Sequence, residues 1–98
     1  ISSPPLYTII LFLYSIGDSF MRQFTIRLRS FQDVQHFVTI AAAQNFTITV
    51  GSPEYHVSAT SFMGMFTLDY TRPLECTAVC NDEQWAQFFE IARVYIVL

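Results

Sequence analysis

Ninety-eight residues suffice for one small domain and no more. With 52% of its residues apolar and 13% charged, the chain is too hydrophobic to be disordered. A net charge of −3, with five arginines and no lysine, excludes a basic surface for nucleic acid.

The amino-terminal stretch "PPLYTIILFLYSIGDSFM" holds an uncharged apolar run from Leu6 to Ile16. Its eleven residues are too few to span a bilayer, which takes about 20. Read as the apolar region of a signal, the run has no basic segment before it here and no small-x-small cleavage site after it. Met21 stands just before the first well-patterned strand and is expected as the natural start. Residues 1–20 then read as upstream read-through outside the core; a truncated anchor or signal, or an extra docked element, are the other readings. Residues 21–98 form the domain.

"FTIRLR" places Phe24, Ile26 and Leu28 on one face and Thr25, Arg27 and Arg29 on the other, the pattern of a half-buried strand. Ser30 is a good N-cap for the helix that follows, with Asp33 in its first turn. Phe31, Val34, Phe37, Val38 and Ala41 make that helix's core stripe, and Asn45 is its stop. "FTITV" and "YHVSA" alternate about the turn "GSPE", which predicts a hairpin with Phe46, Ile48, Val50, Tyr55, Val57 and Ala59 inward. Residues 61–68 predict a short helix and residues 69–73 a loop. Pro73 has no N–H to give a ladder.

"LECTAVC" is the fourth strand. Asn81 and Gln84 make a capping box for a last helix whose stripe is Trp85, Phe88, Phe89, Ala92 and Ile96. The order is β-α-β-β-α-β-α. Strands with one polar face predict an α+β, open-faced two-layer β-sandwich, with four antiparallel strands and three helices on one face. A ferredoxin-like domain shares the first six elements, so element order alone leaves the family open.

Cys76 and Cys80 are four apart, which on one strand separates them by about 13 Å. A disulfide needs Cα atoms within about 7 Å, so both read as reduced, semi-buried thiols in a cytoplasmic protein. Neither His36 nor His56 completes a metal-binding spacing with them, and no metal or cofactor is expected. His36 reads as a surface helix residue and His56 as a residue of the polar strand face.

"ATSFMGMFTLD", followed by "LECTAV" and "NDEQWAQFF", resembles the phosphocarrier protein HPr of the bacterial sugar phosphotransferase system. The resemblance runs from residue 23 to about residue 97. Ala59, Ser61, Met63 and Gly64 fit the family's regulatory segment, with Thr60 in place of its lysine. The family's chemistry lies elsewhere, in Gly-Leu-His-Thr-Arg-Pro-Ala before the first helix, whose histidine takes a phosphoryl group from Enzyme I. Here the corresponding stretch is "LRSFQDVQHF". Ser30 falls at the histidine position, Gln32 at the arginine and Asp33 at the proline. "TRP" at residues 71–73 lies in a different loop and is not that motif.

The resemblance therefore implies a degenerate member with no catalytic residue. Ser61 becomes its candidate for regulatory phosphorylation, and Phe62, Met63 and Phe66 its partner-binding patch. The plainer reading of Ser61 is a helix cap, with those three side chains partly in the core. The implied role is a non-enzymatic regulatory or adaptor module, monomeric, whose partners are phosphotransferase-system or transcription-regulatory proteins. A membrane enters only if the amino-terminal segment is genuine. The alternatives are a working phosphocarrier and a small ligand-binding regulatory domain of ferredoxin-like topology.

Overall fold

The computed structural model describes residues 19–98. The apolar run Leu6–Ile16 lies outside the described residues. The elements in chain order are β1 (Phe20–Ile26), α1 (Phe31–Ala42), β2 (Ile48–Gly51), β3 (His56–Ser58), α2 (Phe62–Phe66), β4 (Leu74–Cys80), α3 (Asp82–Ala92) and β5 (Ile96–Val97). The fold is α+β, with five strands and three helices among the described residues.

The strands form one antiparallel sheet in the order β3-β2-β4-β1-β5. β4 is its centre, paired with β1 from Phe20↔Cys80 to Ile26↔Leu74 and with β2 from Ile48↔Ala78 to Val50↔Cys76. A ferredoxin-like sheet has its first and third strands as the inner pair. Here β4 is central, between β2 and β1, and β3 is an edge, so the ferredoxin-like arrangement is excluded.

Strand alternation places the core. Leu74, Cys76, Ala78 and Cys80 of β4 are buried, while Glu75 and Val79 face outward. Phe24 and Ile26 of β1 and Ile48 and Val50 of β2 join the same cluster. Helices cover this face with Val34, Phe37, Val38, Ile40 and Ala41 from α1, Met65 from α2, and Phe88 and Ala92 from α3. The opposite face of the sheet carries Met21, Gln23, Thr49, His56, Glu75 and Thr77, which line an uncovered depression.

Several details differ from the sequence expectation, among them β1, which runs over Phe20–Ile26 rather than residues 24–29, and α2, which is Phe62–Phe66 rather than residues 61–68. A fifth strand is present, so the sheet is not four-stranded. Ile96 belongs to it rather than to the last helix, which ends at Ala92. β-Branched Val94, Ile96 and Val97 favour extended backbone, and the free edge of β1 takes Ile96 opposite Ile26. Phe31 leaves the core stripe: it is the first residue of α1 and half exposed. Tyr55 lies in the turn before β3, exposed, with its hydroxyl against that of Thr67 at 2.6 Å. Trp85, Phe89 and Val57 pack on the core from its rim, partly buried.

Candidate functional site

The connection from β3 into α2 is set by short polar side chains. Ala59 is fully buried, and its N–H bonds Ile48 O at 2.9 Å, carrying the ladder one residue past β3. Ser58 then closes a tight turn: its carbonyl accepts from the Ser61 N–H at 3.1 Å and its hydroxyl meets that of Thr60 at 2.8 Å. Ser61 is extended, with φ −100° and ψ 109°, and its Oγ accepts from the Gly64 N–H at 3.0 Å. That is the N-cap geometry the sequence predicted. Gly64 is closely packed: a Cβ there would lie 3.0 Å from the Val57 Cβ and 3.1 Å from Ser61 Oγ, so these side chains would have to give by a few tenths of an ångström to admit one.

Three of the five residues of α2 are phenylalanine or methionine and are not fully buried. Met65 is the anchor, with no exposed surface. Phe66 packs partly against the core, Phe62 is 40% exposed and Met63 80% exposed. The Phe62 and Phe66 rings stack, 6.4 Å apart and 19° from parallel. Phe66 stacks in turn on Phe31 of α1, at 5.1 Å and 15°. Tyr70 meets Phe66 edge-on at 6.4 Å. The result is a row of three nearly parallel rings joining the start of α1 to α2.

Sequence reasoning placed Phe62, Met63 and Phe66 in this patch and missed Phe31 and Tyr70. Phe31 fits the helical period of the core stripe and so was indistinguishable from it. Its position immediately after an N-cap is the only local cue that it lies at the helix end rather than over the sheet.

Ser30 stands at the head of α1 with φ −155° and ψ 168°. Its Oγ accepts from the Asp33 N–H at 3.1 Å, and Asp33 Oδ2 accepts from the Arg29 N–H at 2.9 Å. In the first turn of α1 the Asp33 N–H is thus capped by Ser30 Oγ and the Val34 N–H by Ser30 O, and an acidic side chain, Asp33, stands at the positive end of the helix. Gln32 is exposed, and its side chain makes no hydrogen bond among the described residues.

The remaining titratable groups do not converge on the aromatic row. His36 is exposed and shares a 2.6 Å hydrogen bond between Nδ1 and the Tyr95 hydroxyl, tying α1 to the turn before β5. His56 lies on the open face of the sheet, at the rim of a depression of about 460 Å³. Thr71 donates from its hydroxyl and its N–H to Asp69 Oδ1, and Arg72 lies 3.6 Å from the same carboxylate. The Thr71 hydroxyl in particular holds the Asp69 carboxyl below its usual range. "TRP" is therefore a turn closed on Asp69. Cys76 and Cys80 are both free and buried on the inward face of β4, and burial pushes both thiols up. No group of three histidine, cysteine or acidic residues able to hold a metal is present among the described residues. No helix among them is long and apolar enough to cross a membrane.

No family model matches the chain, and no curated protein matches it in sequence.

Proposed function

We propose that the chain is an HPr-derived regulatory or adaptor module that binds a protein partner through the surface of α2. The observation that carries this reading is the exposure of Phe31 and Phe62, both stacked on Phe66, together with the exposed Met63 next to Phe62 in α2. Aromatic and methionine side chains are the types enriched in the buried centres of interfaces. Held in a stacked row, they offer contact area with little freedom left to lose on binding.

The HPr resemblance supports the same location, because its regulatory segment spans Ala59 to Gly64. An open-faced α+β sandwich with helices over one face of an antiparallel sheet is compatible with that family. On this reading Ser61 is the regulatory phosphorylation position: a phosphate there adds close to two negative charges beside Phe62 and Met63. Capping alone already accounts for the serine, so docking rests on the apolar side chains and not on Ser61.

The reading makes the protein a non-enzyme. By the resemblance Ser30 stands at the phosphoryl-accepting position, and the Asp33 carboxylate in the first turn of α1 places a negative charge where a transferred phosphate would have to bind. The two unpaired, buried thiols suit a reducing compartment, in keeping with a cytoplasmic protein. Phosphotransferase-system and transcription-regulatory proteins are the partner classes the resemblance supplies.

The test is recovery of partners from the source cell on immobilised wild type and Met63→Asp. Met63 is too exposed for the change to move stability by more than about 0.5 kcal/mol. A partner recovered by wild type and lost with Met63→Asp, at an unchanged denaturant midpoint, is the expected result. Equal recovery by both forms would rule out docking through this patch.

A further inference from the structure

We draw no further inference here: the strongest candidate, the depression on the open face of the sheet lined by Met21, Gln23, Thr49, His56, Glu75 and Thr77, is an unpartnered face, and nothing in the structure shows what covers it.

Discussion

Ser61 and Gly51 are single residues on which the region around α2 turns. Ser61 holds the start of α2 twice, its Oγ taking the Gly64 N–H and its carbonyl the Met65 N–H at 2.9 Å. Only the first bond depends on the side chain. Ser61→Ala is expected to cost about 0.5–2 kcal/mol, read as a lower urea midpoint. Ser61→Asp keeps an acceptor at the cap and places a negative charge at the positive end of the helix, so its midpoint should stay near wild type. A midpoint for Ser61→Asp as low as that of Ser61→Ala would contradict the cap geometry. Gly51 closes the β2–β3 hairpin at φ 126°, and a Cβ there would lie 2.4 Å from Tyr55 O and 2.9 Å from the His56 Cα. Both contacts are with backbone and neither can swing aside. Gly51→Ala should lose about 1–3 kcal/mol, the cost typical of backbone strain of this kind, measured by thermal or urea unfolding.

At the level of elements, what was legible followed from local rules. β4, α1 and α3 each carry their period within a dozen residues, and the two helices their caps; of β1 only Phe24–Ile26 fell inside the expected run of residues 24–29. The Asn81–Gln84 capping box is present in both directions, with Gln84 N to Asn81 Oδ1 at 2.7 Å and Asn81 N to Gln84 Oε1 at 2.9 Å. β5 was not legible, because a two-residue strand has no period and exists only where β1 leaves an edge for Ile96. The patch was half legible for the same reason. Phe62 and Met63 are adjacent in sequence to the cap that orients them, whereas Phe31 reaches Phe66 across 35 positions, a contact that only the packing of α1 on α2 creates.

β4 also carries a pH dependence. Burial raises Cys76 and Cys80 above the 9.0 of a free thiol, so the unfolded chain releases these protons first. Stability is fully present below about pH 9 and falls as pH rises above it. Cys76→Ala should be less stable near neutral pH because of the lost packing. Between pH 8 and 10.5 its midpoint should nevertheless fall less steeply than that of wild type. Parallel declines in the two proteins would show that other groups set the alkaline limb.

On the scale of the whole molecule, stability and the proposed docking are carried by different surfaces. The core joins the inward faces of the strands to all three helices, while the aromatic row borders it through Phe66, with Tyr70 beside it. Phosphoryl transfer would need a third arrangement, an imidazole beside an unoccupied helix terminus, and the described residues place neither histidine there. His36 is engaged by Tyr95 and His56 lies on the open face. Incubated with Enzyme I and labelled phosphoenolpyruvate, the protein is expected to acquire no acid-labile, alkali-stable label. A label that disappears with His36→Ala would establish a working carrier and overturn the non-enzymatic reading.

The central position of β4 also governs how the chain comes into being. Its partners precede it by long stretches, 60 residues from Phe20 to Cys80 and 48 from Ile26 to Leu74. Until Leu74–Cys80 has been synthesised, β1 has no neighbour on that side, and the β2–β3 hairpin has nothing to join it to. A short hairpin of that kind is marginal in water by itself. During translation, then, the residues before β4 wait with apolar strand faces uncovered, and the central pairings of the sheet form in a late, non-local step, with β5 added to the edge of β1 last. A ribosome that pauses before residue 74 holds a chain exposed to proteases and to chaperones, and the same chain released a few residues after Cys80 has every strand of its central pairings in hand.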